Sequence, residues 1–283
     1  MPNNCLVCNG TAGAFKHSPK KMKILECGKC GLAFQEIFPI EILEPYQSLD
    51  YYEAWWVDKA SEERFVRSVK EKTANWVLAQ IEPYFKPGAR LLEVGCAFGY
   101  FLSMAKNRGY EVSGIEISEA ADQAIRAGLK VSRLPLEKAI FKKASFDAVI
   151  MLDVLEHFPD PNLALKKILE LLSPGGILVL SVPNFGSFTR KLFGRNWWHF
   201  IQEHLHYFSK KSLTMLLKKN GFKALQIKTA MKGTSLSYIS ACSEAHKRLP
   251  SFINKIICRL PRASASFIVP CDLFCIARRN LRN

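Results

Sequence analysis

The sequence predicts an α/β fold, a doubly wound and mostly parallel sheet, preceded by a small N-terminal ribbon built on four cysteines. Three observations carry this expectation. Leu91-Leu92-Glu93-Val94 runs into Gly95-Cys96-Ala97-Phe98-Gly99 as a buried strand breaks into a glycine turn that opens a helix. A second strand follows at 110–117 and brings an acid, Glu116, to its C-terminal end, as a doubly wound sheet does. Ahead of them, Cys5-x2-Cys8 and Cys27-x2-Cys30 stand in a segment with no strand-helix-strand pattern.

At the N-terminus, residues 1–44 form the expected ribbon. Each cysteine pair is followed by a glycine, Gly10 and Gly31, as on a short knuckle. Four sulfurs at this spacing can close a tetrahedral zinc shell, which leaves no open position for substrate, so the expected role is structural. About 35 residues are too few to sustain a core without such a staple. Redox chemistry is the competing reading of a Cys-x2-Cys pair. Of the nine cysteines, Cys96, Cys242, Cys258, Cys271 and Cys275 lack comparable spacing and read as small buried or half-buried residues.

Residues 45–85 form an aromatic linker and a helix. The stretch from Glu44 to Trp56 is dense in aromatics, which either pack between ribbon and sheet or place Tyr51 or Tyr52 in a lid over substrate. A charged helix is expected from Ser61 to about Phe85, opened by Ser61 with Glu63 and Arg64. Its apolar stripe is Phe65, Val69, Trp76, Val77 and Ile81. From residue 86 to 283 runs the main domain. Its glycines at 95 and 99 let a nucleoside-bearing ligand lie against bare backbone. The strand at 110–117 delivers Glu116 at its C-terminal end, where a doubly wound sheet presents an acid to ribose hydroxyls.

Glu93-x-Gly95-x-Ala97-x-Gly99, then Gly114-Ile115-Glu116, then Ser145 to Pro161 and Leu172 to Leu180 occur in an order that resembles the class I S-adenosylmethionine-dependent methyltransferases, over roughly residues 88–230. The resemblance implies a Rossmann-like sheet of seven strands, with Asp272 to Arg279 as a last, antiparallel strand between the fifth and sixth. It implies that Glu93, Gly95 and Gly99 hold the methionine end of the cofactor, that Glu116 with Ile117 holds the ribose side, and that Asp153 lines the sulfonium region. Ala97 replaces a glycine of the family pattern. The aspartate often found after the third strand is missing from Val131 to Glu137, so adenine contacts fall to backbone or to Leu136 and Glu137. His157 reads as a packing or cofactor-side residue.

The chemistry is expected past the fifth strand, in an insertion spanning 184–212. There Glu203-His204-Leu205-His206-Tyr207-Phe208-Ser209 resembles the active-site segment of zinc-ribbon-bearing sugar C-methyltransferases. By that resemblance His204 is the base, and Glu203 raises its basicity or positions substrate, with His206 in reserve. The competing reading has this histidine cap the next helix or fill the lid. The further C-terminal domain of the sugar family is missing here. A small-molecule methyltransferase of the surface-polysaccharide or natural-product type therefore resembles the chain better.

Forty Lys and Arg against twenty-five acids give a net charge of +15, which suits a phosphate-bearing partner (nucleotide sugar, lipid phosphate or RNA) or serves solubility alone. A ribbon joined to this domain also resembles certain ribosomal-RNA methyltransferases, but the ribbon does not alternate aromatic and basic residues as a stacking platform would. Residues 247–260 carry an apolar stripe flanked by Lys and Arg, either core packing or an in-plane contact with anionic membrane; the latter would make a lipid-linked sugar the substrate. No apolar run is long enough to span a bilayer and no secretory signal is evident, so a cytoplasmic protein is expected, with peripheral contact at the inner membrane face under the second reading. The remaining alternative is a non-catalytic binding protein that keeps the cofactor fold. Acids at three strand ends, Glu93, Glu116 and Asp153, favour an enzyme.

Overall fold

Three short strands open the chain: β1 (Ala12–Ala14), β2 (Ile24–Cys27) and β3 (Ala33–Gln35), paired antiparallel in that order. The computed structural model describes residues 4–19, 22–36, 59–234 and 267–280, and the side chains of 59–66, 267–269 and 271 stand outside this description. The aromatics at 44–56 with Tyr51 and Tyr52, the stripe at 247–260, and Cys242 and Cys258 lie outside the described residues.

Helix α1 spans Lys59–Ile81, and the side chains of Ser61, Glu63 and Arg64, expected to open it, lie outside the described residues. Its Val69, Val77, Leu78 and Ile81 are buried, and the last three pack against the sheet with Leu91, Ile150, Val179 and Phe274. The helix expected as part of the linker is thus built into the main core. It ends in a 3-10 turn at Glu82–Tyr84 with Pro83 inside it.

The parallel sheet follows as β4 (Arg90–Val94), α2 (Tyr100–Asn107), β5 (Glu111–Ile115), α3 (Ala120–Arg126), β6 (Val131–Ser132), β7 (Phe146–Leu152), α4 (Pro161–Leu171) and β8 (Leu172–Val182). Ala148, Val149, Ile150 and Met151 are all wholly buried, because helices cover both faces and the strand needs no polar side. Beyond β8 come the short helix α5 (Phe188–Phe193), β9 (His206–Tyr207), α6 (Lys210–Lys219), β10 (Phe222–Thr234) and β11 (Phe267–Arg279). The seven-stranded order is β10-β11-β8-β7-β4-β5-β6, with β11 antiparallel to both neighbours. The last strand therefore lies between the fifth and sixth, as expected.

Local signals set the helix ends. The Asp160 carboxylate accepts from the Asn162 N–H at 2.8 Å, with Pro161 at the first helical position of α4. Ser209 and Ser212 form a reciprocal capping box on α6. The cap of that helix is thus Ser209, and His204 is not used for it.

The ribbon does not stand apart. β9, from the insertion after β8, pairs antiparallel with β3 and becomes the fourth strand of the ribbon sheet. Cys5, Val7, Cys27, Cys30 and Leu32 belong to the same buried cluster as Val94, Met151, Leu180 and Leu216. Among the described residues, no helix is long and apolar enough to cross a membrane.

Candidate active site

The carboxyl ends of β4, β5, β7 and β8 converge on one edge of the sheet, and the site is built on the loops that leave them. After β4 the chain turns through Gly95 (φ +73°), Ala97 (φ +44°) and Gly99 (φ +76°). The first and last positions need glycine for internal reasons as well as for ligand approach. A Cβ on Gly95 would stand 2.6 Å from Val154 Cγ2, and one on Gly99 2.4 Å from Leu129 Cδ1. The turn is locked to the end of β5 by Glu116, whose carboxylate accepts from the Ala97 N–H at 2.8 Å and the Ser118 N–H at 2.9 Å. Beside it Ile117 is 39% exposed at the same edge.

Glu93 is 5% exposed and its Oε2 has no hydrogen-bond partner. Burial pushes its carboxyl well above the ordinary range, the charge of Glu116 adds to this, and Lys70 on α1 opposes it. An orphaned acid of this kind fits an ammonium group, and with the pinned turn it makes a cradle suited to an amino-acid-bearing nucleoside. Leu136, weighed for adenine contact, is 2% exposed and packs in the core, so its side chain is withdrawn from such a role.

Asp153 follows β7 with φ +59°, a conformation that costs a non-glycine residue energy and tends to be kept where function needs it. Its carboxylate accepts from Ser181 Oγ at 2.8 Å and from Lys232 Nζ at 2.6 Å. Lys232, on β10, also bonds Asp272 at the start of the β11 segment that pairs with β8, and Asp272 holds His199 Nε2 at 3.1 Å. Burial works to raise the Asp272 carboxyl, but Lys232 and His199 outweigh it and hold it below the usual carboxylate range.

Next to this network lie Glu156, His157 and His204, whose potential ligand atoms are all within 4.8 Å of one another. The His157 and His204 rings meet edge to face at 4.8 Å. His157 Nδ1 lies 2.9 Å from the Glu203 carbonyl, and His204 Nδ1 lies 2.8 Å from the His199 carbonyl. Burial brings both imidazoles below their ordinary range, well below for His204, so both are neutral near pH 7. A ring whose Nδ1 donates to a carbonyl carries its lone pair on Nε2. Glu156 is fully buried with neither carboxylate oxygen partnered. Burial drives its carboxyl well above the usual range, and the charge of Asp153 adds to this.

Glu203 meets this group through its backbone carbonyl, while its side chain is half-buried; the carboxylate among the histidines is Glu156. His206 is buried against the Phe158 carbonyl at 3.0 Å and ties the loop after β7 to β9. Glu156, His199, Lys232 and Asp272 were not singled out in the sequence. Glu156 lies in the Leu-Glu-His string and was legible as a charged residue in an apolar loop, whereas Lys232 and Asp272 gave no local signal.

The insertion folds over this edge as an aromatic cluster of Phe185, Trp197, Phe200 and Tyr207, joined by Phe15 of the ribbon at 5.2 Å from Phe185. Arg190 serves it structurally, donating to the Phe185 carbonyl at 2.8 Å with its guanidinium over the Phe185 ring. Gln35 at the end of β3 donates to the carbonyls of Gln202 and His204 at 2.7 and 2.9 Å, and its own N–H donates to the Leu205 carbonyl at 3.0 Å. Trp198, by contrast, reaches the surface at 36% exposure.

In the ribbon the four cysteine sulfurs lie within 4.8 Å of one another, with Cys5–Cys30 and Cys8–Cys27 each at 3.5 Å. Sulfurs about 2.3 Å from one tetrahedral ion stand a little under 4 Å apart, so the donor set and its spacing fit zinc. Burial acts to raise the Cys27 thiol, but the backbone N–H groups of Cys30 and Lys29 outweigh it and bring it to about 7.

Strand order, pinned glycine turn and acids at the strand ends define the class I methyltransferase fold. A family model described as a methyltransferase domain matches residues 65–227, more than half of the chain, and the chain belongs to that family. It is similar to a ubiquinone biosynthesis O-methyltransferase from Psychrobacter cryohalolentis, 30% identical over 139 residues that cover 46% of this chain and 51% of the relative. The chain spans about half the length of the curated relatives it matches. Among solved structures it is similar to an S-adenosylmethionine-dependent methyltransferase from Thermotoga maritima, with TM-score 0.53 and 21% identity over 84% of this chain and 98% of that one. The cyclase SpnF shares the fold as well, with TM-score 0.52 and 21% identity over 75% of this chain and 81% of that one. The fold alone therefore does not decide the reaction.

Proposed function

We propose that this protein is an S-adenosylmethionine-dependent methyltransferase acting on a hydroxyl of a small acceptor held under the insertion. The observation that carries this reading is the pairing of the pinned Glu116 carboxylate with the orphaned Glu93 oxygen at the carboxyl edge of β4 and β5. When bound, S-adenosylmethionine supplies an electrophilic methyl, whose bond to sulfur breaks with its electron pair left on sulfur. Glu93 and the turn from Gly95 to Gly99 would hold the methionine end, Glu116 and Ile117 the ribose side, and Asp153 the reacting end. His204 would activate the acceptor hydroxyl, whose proton leaves as the carbon–oxygen bond forms. The aromatic insertion would keep water out.

Two observations bear on the acceptor. The relatives named for ubiquinone biosynthesis are O-methyltransferases, which supports transfer to oxygen. The Glu203 to Ser209 segment and the net charge of +15 support a sugar-like or phosphate-bearing acceptor. Engagement of the ribbon with the insertion, through β3–β9 and Gln35, supports a small acceptor over RNA. We also infer that Cys5, Cys8, Cys27 and Cys30 hold a structural zinc ion.

The test is incubation with methyl-labelled S-adenosylmethionine and separate pools of phenols, nucleotide sugars, lipid-linked sugars and undermethylated ribosomal RNA. Label is expected in a small hydroxyl acceptor; label in RNA alone would overturn the reading. Replacing His204 with Ala is expected to lower turnover by about 100-fold or more while S-adenosylhomocysteine still binds in calorimetry. Full turnover in that variant would remove the histidine from the chemistry.

A further inference from the structure

We propose that Glu156, His157 and His204 form a divalent-metal site beneath the insertion, distinct from the four-cysteine ribbon. Three features converge on it. The donor set is two imidazoles and one carboxylate, the facial arrangement that first-row dications take with positions left open for further oxygen ligands. Each imidazole is oriented through Nδ1 by a backbone carbonyl, that of Glu203 for His157 and that of His199 for His204, which is how metal-binding histidines are held so that Nε2 coordinates.

The third feature is Glu156 itself. A wholly buried carboxyl with two unpartnered oxygens is costly even while it keeps its proton, and a cation that displaced the proton would give both oxygens a partner. Lys232 Nζ pairs with Asp153 and with Asp272, while both Glu156 oxygens have no hydrogen-bond partner and are left for a dication to engage. Donors of one ion at roughly 2.1 Å stand about 3 to 4 Å apart, so the atoms now within 4.8 Å close the shell by small side-chain rotations.

The role of such an ion rests on the methyltransferase reading above. An acceptor hydroxyl bound to it loses its proton to solvent more readily, and the resulting oxygen anion attacks the methyl carbon as the carbon–sulfur pair stays on sulfur. In this arrangement His204, as a neutral ligand, activates the hydroxyl through the ion that it holds and does not take the proton itself. The oxygen of a ring hydroxyl or of a sugar hydroxyl serves equally, provided it reaches the open positions.

The test uses the full-length protein with its ribbon zinc-loaded, titrated with Mn2+ and followed by loss of the free-ion paramagnetic resonance signal. Mn2+ prefers oxygen and nitrogen donors and does not displace zinc from thiolates. One Mn2+ per chain is expected, with affinity reduced at least about tenfold in Glu156→Gln and in His204→Gln. Co2+ absorption provides a second reading: weak d–d bands without thiolate charge transfer, lost in the same variants. No Mn2+ or Co2+ uptake by the wild type would overturn the site, as would uptake unchanged in both variants. Calorimetry with S-adenosylhomocysteine separates the two proposals. Nucleotide binding without metal binding removes only the metal site, and metal binding without nucleotide binding removes only the methyltransferase reading.

Discussion

Gly95 shows how much a single position can carry. Its positive φ and the 2.6 Å approach of a would-be Cβ to Val154 make alanine doubly unfavourable there. Gly95→Ala is expected to cost about 1–3 kcal/mol and to weaken S-adenosylhomocysteine binding, checked by thermal melting and calorimetry. Glu116→Ala removes the acceptor for two backbone N–H groups, so affinity for the same ligand should fall by about tenfold or more. Both residues were legible in the sequence, because the turn and the acid at the end of the next strand are local patterns. Asp153 was legible through the family resemblance, which places it beside the sulfonium. Its partner Lys232 was not: 79 residues separate them, and only the addition of β10 and β11 to the sheet brings the lysine in.

Among elements, the contact between ribbon and insertion decides the shape of the site. Gln35 is 5% exposed and holds two carbonyls of the segment that carries His204. Gln35→Leu leaves both carbonyls without that donor, with an expected cost of about 1–3 kcal/mol. Turnover should drop while S-adenosylhomocysteine affinity is kept; unchanged kinetics would show that the ribbon does not position the insertion. Asp272 makes the corresponding link on the other side. Its carboxyl is held below the unfolded-state range of about 4 by Lys232 and His199, so the unfolded chain binds more protons as the pH falls past that range. The stability it contributes is complete above about pH 4 and is lost as the pH falls below it. Asp272→Asn takes from the half-buried Lys232 one of its two carboxylates and leaves it Asp153 alone, and should cost about 1–3 kcal/mol at pH 7, with the deficit shrinking in melts at lower pH.

At the scale of the molecule, the ribbon and the sheet share one buried cluster, with Cys5, Cys27, Cys30 and Leu32 packed into the group that includes Val94 and Leu180. Chelation of the zinc ion proposed for the four cysteines is therefore expected to lower the melting temperature of the whole chain and to speed amide exchange at residues 202–208. If exchange there is unchanged after the zinc is removed, the ribbon and insertion are not coupled. Helix α1 belongs to the same argument. It was grouped with the linker from its position in the chain, yet it buries Val77, Leu78 and Ile81 on the sheet.

The sequence by itself determined the α/β class, the strand carrying Glu93, the turn, the placement of Glu116 and the four-cysteine set. Each is written in residues close together in the chain, where periodicity and spacing express backbone geometry directly. Only the tertiary structure decided that Glu156 is the carboxylate beside His157 and His204, that Lys232 and Asp272 bind across the strand ends, and that β9 leaves the insertion to pair with the ribbon. Those contacts are chosen by which buried polar groups can satisfy one another once the core has closed, and that choice leaves no periodic trace along the chain.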